Sequence, residues 1–413
     1  MRVQRLGAGA SAAAVLRELH ERALRLGLPP PAALTGEWFG SAAVLVPSVA
    51  LRPRAVNVAF AAGGAGKATM TARSGAVGGG WIGYRGYPDG YGALPEATGG
   101  WTDCVLRLDL DNCWWFESLS GAPCPPGLTA AVAVGAAESS WHLDWLTPDA
   151  AAHQHRVRQC LAAIADGEVY QACVCTRFAG NLEGEAVQLY ANGIEADKPA
   201  RAAYLAGPWG AVTSFSPELY LARHARMVRS SPIKGTLPRT RHPAALRASA
   251  KDVAENVMIV DLVRNDLGRV CVPGSIAVPE LLAVHAAPAV WHLVSTVEGK
   301  LRPGVTDAQL LEATFPPASV TGTPKHRARQ LIAEWENAAR GLYCGTIGMV
   351  SPVAGLELNV AIRTVEIDPH GRAALGVGGG ITIGSDPEAE WLECLAKADA
   401  VTRLQSRAAS TAS

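Results

Sequence analysis

A first third of strands and turns gives way to a mixture of helices and strands, and an order of that kind excludes any architecture made of helices alone. Leu106, Leu108 and Leu110 alternate with Arg107 and Asp109, the two-residue period of a half-buried strand. Gly78-Gly-Gly-Trp-Ile-Gly-Tyr84 and the Tyr87-Pro-Asp-Gly90 turn punctuate the same region. Further on, Ala151 to Gly167 and Ala244 to Leu267 read as helices, while Glu168 to Arg177, Tyr343 to Ser351 and Glu357 to Asp368 read as strands. A glycine-rich strand then reaches Ile383, and a last helix opens with Ser385 as N-cap, Pro387 in its first turn and Glu388 closing a capping box. The pattern predicts an α+β fold of antiparallel sheets with helices packed outside.

Composition supports a large buried core and narrows the partners. Of 413 residues, 49% are hydrophobic and 18% charged, so apolar surface is ample and no disordered majority is expected. Thirty-seven basic residues balance 37 acidic ones, which offers no global attraction to nucleic acid or to an acidic membrane. No apolar run is long enough to span a bilayer. The Ala/Gly run between Met1 and Leu16 faintly mimics a signal peptide, yet it passes directly into the helix-like Arg17-Glu-Leu-His-Glu-Arg22. Nine cysteines without a CxxC pair, the tightest being Cys173-Val-Cys175, read as reduced thiols of a cytoplasmic protein.

Two glycine motifs are false leads. Gly63-Gly-Ala-Gly-Lys67 brushes a phosphate loop, but Ala61 and Ala68 replace its first glycine and its Ser/Thr. Gly376-Val-Gly-Gly-Gly380 carries Ile381 where a dinucleotide fingerprint needs glycine. Acidic helices are more informative. Glu390, Glu393 and Lys397 share one face of the last helix, and Asp252 and Glu255 repeat the i, i+3 spacing on the long helix. Solvated helix faces explain each pair alone; together they are also what an oxygen-ligated Mg²⁺ needs. Lys234, held in Ser231-Pro-Ile-Lys-Gly-Thr236, is either a surface charge or, kept from water near a metal, a lysine of depressed pKa able to act as a nucleophile.

A known family matches these residues in order. Ser216-Pro-Glu218, Pro232-Ile-Lys-Gly-Thr236, Asp261-Leu-Val-Arg-Asn-Asp-Leu-Gly268, His292-Leu-Val-Ser295, Phe315 to Lys325 and Ala361-Ile-Arg-Thr364 precede the glycine strand and the glutamate helix. Together they closely resemble the chorismate-utilising enzymes, which include anthranilate, aminodeoxychorismate, isochorismate and salicylate synthases. The resemblance is dense from about residue 150 to 404. It implies two facing antiparallel sheets with helices outside, residues 1–145 being a strand-rich region of the same large unit, 146–404 the chorismate-binding catalytic region and 405–413 a flexible tail.

Two positions discriminate within the family. Water-adding members have a lysine base where this chain has Gln171, and a glutamine cannot serve as that base. The Pro-Ile-Lys-Gly-Thr form is similar to the aminodeoxychorismate synthase branch, whereas anthranilate synthases have alanine in place of Lys234. The resemblance therefore implies Mg²⁺ held by Glu255 and Glu393 with Asp252 and Glu390 in support, and chorismate anchored by Arg363 and Lys397. Gly379 and Gly380 would cradle a carboxylate that Tyr343 touches, with Ser319 and Thr236 shaping the pocket. Lys234 would attack the ring, Glu218 protonate the departing hydroxyl and His292 stand beside it. Ammonia would come from a separate glutamine amidotransferase subunit, and the 4-amino-4-deoxychorismate formed would feed 4-aminobenzoate for folate or for an arylamine natural product. Anthranilate or 2-amino-2-deoxyisochorismate synthesis is the nearest rival, and a non-catalytic chorismate-binding subunit is the rival of another class. Pro316-Pro-Ala-Ser319 and Asn256 depart from the family pattern. Trp38, Trp81 and Trp101 fall where some relatives bind tryptophan, and core packing accounts for them equally.

Overall fold

The computed structural model describes residues 1–60, 75–90 and 92–406. The glycine loop Gly63–Lys67 and the tail beyond Ser406 lie outside the described residues. A twelve-stranded and a ten-stranded sheet form, with every strand pair between their registered residues antiparallel. Alternate residues of one strand serve two different cores, as the pleat requires. In Ser41–Val46, Ala43 and Leu45 join Leu16, Leu19 and Tyr190 beneath the helices, while Val44 and Val46 join Ile82, Tyr84, Ile347 and Met349 between the sheets. Burial on both faces is why this segment is an apolar run without alternation. Each of those large side chains removed from water contributes about 1.5–3 kcal/mol.

Several sequence expectations shift once the faces are known. The strand at Leu106 covers Cys104–Leu108, and Leu110 lies beyond it, exposed. Arg107, expected on a wet face, is buried and paired at 2.6 Å with the fully buried Glu117. That carboxylate also accepts from the Val77 and Gly78 amides, so the charge is satisfied rather than solvated. The signal-like N-terminus is a strand, Arg2–Gly7, and a helix, Ala12–Leu26, capped by Ser11 and ended by left-handed Gly27.

The long helix is two, Ala244–Ala248 and Ala250–Gly268, because Ser249 turns extended and its hydroxyl caps the Asp252 amide. Similarly, the Glu357 to Asp368 strand is two, Gly355–Asn359 and Thr364–Ile367, separated by a crossing at which Arg363 has φ 49°. The strand after the Ala150–Ala165 helix runs over Gln171–Glu183. The strand starting near Tyr343 begins at Thr346, and the glycine strand is Arg372–Ile381. The terminal helix, Pro387–Thr402, is capped by Asp386, which accepts from the Glu388 and Ala389 amides; Ser385 instead accepts from the Thr382 amide. Ser406 is docked rather than frayed, its hydroxyl bonding Glu138.

Two crossings between the sheets position the site. Pro217 and Glu218 join Gly210–Ser216 of the larger sheet to Leu219–His224 of the smaller one. Residues 360–363 make the return crossing, and the two run side by side, the Val360 amide donating to the Glu218 carbonyl. The larger sheet contains strands from both the 1–145 and 146–404 regions, so no gap separates them.

Candidate active site

Lys234 lies on the Ile233–Pro238 strand, at an irregularity between the Ile233↔Val294 and Thr236↔His292 pairs. Gly235 takes φ +89° there, and a Cβ on it would stand 3.1 Å from Asp252 Cβ and Cγ. Such a bulge re-aims the neighbouring side chain. The Lys234 amine is thereby buried and donates to Glu255 Oε1 at 2.6 Å. Gln171, on the first residue of its strand, donates to the same oxygen at 2.8 Å, and its own amide oxygen has no partner among the described residues. The Ala250–Gly268 helix can present Glu255 inward because Ile259, Val263 and Leu267 bury its face against the smaller sheet. Asn256, beside it, bonds Leu293 carbonyl and Ser295 hydroxyl, fixing the helix to the His292 strand.

Burial pushes the Lys234 ammonium toward losing its proton, but Glu255 outweighs that and holds the pKa above its ordinary value. The depressed pKa expected from the sequence is therefore not what this geometry gives. Glu218 behaves oppositely. Burial pushes its carboxyl up to about 7, against a Ser319 hydrogen bond and the Lys234 charge. A water-sized cavity of about 20 Å³ borders Glu218 and Ser319. His292 is pushed down to about 4 by burial and then by the Arg363 guanidinium, so it is neutral near pH 7. Thr236 Oγ1 shares a 2.9 Å hydrogen bond with its Nδ1.

The terminal helix supplies the second set of carboxylates. Lys397 Nζ bonds Glu393 at 2.8 Å and the Gly378 carbonyl at 2.7 Å, while Lys251 bonds Glu390 at 2.6 Å. The Lys397 charge is the main reason that Glu393 titrates below the usual carboxylate range. The glycine strand passes between the two sets. A Cβ on Gly379 would lie 3.1 Å from Glu390 and 3.7 Å from Lys397; one on Gly380 would lie 2.0 Å from Glu255 and 2.1 Å from Gln171. Only glycine leaves this space. Beyond Leu375 the neighbouring Thr364–Ile367 strand no longer pairs with it.

Among the described residues, no three acidic, His or Cys side chains converge as a ready metal cage. The donor set nevertheless fits a hard divalent ion. Glu255 from one helix and Glu390 and Glu393 from another stand around a cradle a single Cβ would fill, with Asp252 beside Gly235 instead, and Mg²⁺ needs only one or two carboxylates with retained waters.

Glu218, Lys234, Gln171, Glu255 and Ser319 are thus brought together, as are Glu390, Glu393, Lys397, Gly379 and Gly380. Arg363 and His292 meet electrostatically. Tyr343 is the exception: its ring packs against Gly376 and its hydroxyl meets the Cys175 thiol, inside the core. Trp38 and Trp81 are likewise core, and Trp101 is half-exposed. A wider groove of about 760 Å³ lies between the Ala250–Gly268 helix and the 315–329 segment and touches none of the expected site residues. Asp266 and Lys325, from two of the matched motifs, form an ion pair there, a structural role. Sequence reasoning missed Lys251, Arg340 and Glu336. An isolated Lys251 carries no pattern, but Glu336 and Arg340 had a visible i, i+4 spacing.

With this geometry in place, the comparisons identify the class: residues 135–403 match the chorismate binding enzyme family, and the chain belongs to it. Its fold is that of anthranilate synthase component I from Streptococcus pneumoniae, with TM-score 0.71, 23% identity and 91% and 90% of the two chains covered. The menaquinone-specific isochorismate synthase of Escherichia coli is similarly alike, with TM-score 0.73, 19% identity and 97% and 93% covered. Within the family, aminodeoxychorismate synthase component 1 of Salmonella typhimurium is 40% identical over 253 residues, 60% of this chain. The matched stretch is 56% of that relative, so the chain spans about half the length of the curated proteins it resembles.

Proposed function

We propose that this chain aminates chorismate at ring C4 with ammonia, giving 4-amino-4-deoxychorismate, with Mg²⁺ bound and with ammonia delivered by a separate glutamine amidotransferase subunit. The observation that carries this reading is the buried Lys234 amine sharing Glu255 with the Gln171 carboxamide, within electrostatic reach of the Glu218 carboxyl. The branch of the Salmonella relative supports it. Lys234 first loses its ammonium proton to solvent and, as free amine, attacks C2; the ring double bonds shift and the C4–O bond breaks. Glu218, held protonated by burial, gives its proton to the departing hydroxyl, which leaves as water. Ammonia then bonds C4, the double bonds shift back, the C2–N bond to Lys234 breaks and Glu218 recovers a proton. Bound Mg²⁺ would supply positive charge for the ring carboxylate and hold the ring over the amine, with Glu255 and Glu393 as its ligands and Glu390 and Asp252 in support. Arg363 and Lys397 would anchor the enolpyruvyl carboxylate. Gln171 lacks the basicity to deprotonate water, which favours ammonia.

The test is mass spectrometry of the product from chain, chorismate, ammonium and Mg²⁺. An amino-chorismate that a 4-aminobenzoate-forming lyase accepts supports the reading; anthranilate or a C2 amine overturns it. Glu218→Gln is expected to cost about 10²–10⁴-fold in turnover. It should also remove a decline of the wild-type rate above pH about 7, where the acid loses its proton. The same shift has a stability sign. A folded pKa raised above the unfolded one makes burial harmless at low pH and increasingly costly from about 4.5 to 7. Glu218→Gln should therefore raise the melting temperature at pH 8 and leave it unchanged at pH 4.

A further inference from the structure

We propose that Lys251 is a displaceable internal counter-cation, a positioning residue that holds Glu390 while no divalent ion is bound and yields it when one enters. The inference rests on the metal reading above. Three ammoniums are set among the carboxylates, and they are not equivalent. Lys234 is buried on Glu255, and Lys397, with a side chain as exposed as that of Lys251, is tied both to Glu393 and to the Gly378 carbonyl. Lys251 has a single hydrogen bond, to Glu390 Oε1, and its side chain is 38% exposed while that of Glu390 is 2% exposed. Its charge acts on Glu390 first and then on Glu393 and Glu255.

Charge and desolvation decide which cation can leave. Glu255, Glu390 and Glu393 balance the three ammoniums. A divalent ion added with all three in place would leave two formal positive charges; with Lys251 swung into water, one remains. Moving Lys251 outward rehydrates an ammonium already partly wet, whereas expelling Lys234 would drag a buried one past the glycine strand. Lys251 is also the second residue of its helix, where a long side chain can rotate outward without disturbing the buried face. Ion entry is thus an exchange of cations at Glu390, with the lysine keeping that buried carboxylate neutralised and in place beforehand.

Mn²⁺ binding to the full chain without substrate tests this, by calorimetry and by electron paramagnetic resonance of the free ion. Lys251→Met removes the competitor and is expected to tighten Mn²⁺ binding about 5- to 10-fold, the worth of one charge-assisted, partly exposed contact. Lys251→Arg should bind Mn²⁺ as the wild type does. Melting of the ion-free Lys251→Met chain should fall and Mn²⁺ should raise it by more than in the wild type. Unchanged or weaker binding by Lys251→Met, with wild type binding and Glu255→Gln not, overturns the role of Lys251 alone. No Mn²⁺ binding by the wild type overturns the metal reading and this inference together.

Discussion

Replacing Lys234 with alanine is expected to lower ammonia-dependent turnover of chorismate by about 10³-fold, with KM changed far less. The amine is the proposed nucleophile, and no other described amine shares Glu255 with Gln171. Lys397, the next ammonium in electrostatic reach, is committed to Glu393 and to a strand carbonyl. The split between kcat and KM separates this from a packing defect, because the proposed anchoring by Arg363 and Lys397 does not use the lysine strand. Product analysis by mass spectrometry checks it: an amine formed as well without Lys234 would remove the covalent step. Loss of Lys234 also leaves Glu255 without its ammonium, so the variant should bind Mn²⁺ no more weakly than wild type.

Arg340→Met is expected to cost about 3–5 kcal/mol, measured by urea titration, because it leaves a largely buried carboxylate without its cation. Arg340 is 3% exposed and holds both Glu336 oxygens, at 2.8 and 2.7 Å. It also donates to the Val320 carbonyl at 2.9 Å and the Cys173 carbonyl at 2.8 Å, and Glu336 accepts from the Cys175 amide. This pair therefore ties the Gln171–Glu183 strand to the loop bearing Ser319. Removing both charges at once, with Glu336→Leu added, should recover part of the loss, since no charge is then stranded. Without the clamp, Gln171 and Ser319 both lose their placement, and turnover should fall even at temperatures where the variant remains folded.

Much of the site was legible because its chemistry is written in short segments. Lys234, Glu218 and the spacings Asp252–Glu255 and Glu390–Glu393 are local facts, and a helix puts i and i+3 on one face whatever surrounds it. The glycine strand was legible too, as a place where side chains had to be missing. Tyr343 was misplaced because position in a strand leaves the face undecided until the sheet's neighbours are known. The Thr346–Ser351 strand begins after it, and its ring turns inward under Gly376. Arg107 was misread for a related reason. Alternation places it opposite Leu106 and Leu108, but the second face of that sheet meets another core, where Glu117 waits.

By itself the sequence determined the element types, the family motifs and the chemical identities of Lys234, Gln171 and Glu218, because propensity, capping and residue chemistry act over a few neighbours. Only the tertiary structure decided the partners. Glu255 lies 21 residues from Lys234 and 84 from Gln171, and Lys251 reaches Glu390 across 139. Charge interactions depend on distance and on local burial, and neither exists until the sheets have closed. That is why the lysine expected to be acidic is held as an ammonium, and why the carboxyl of Glu218 is the group that burial keeps protonated.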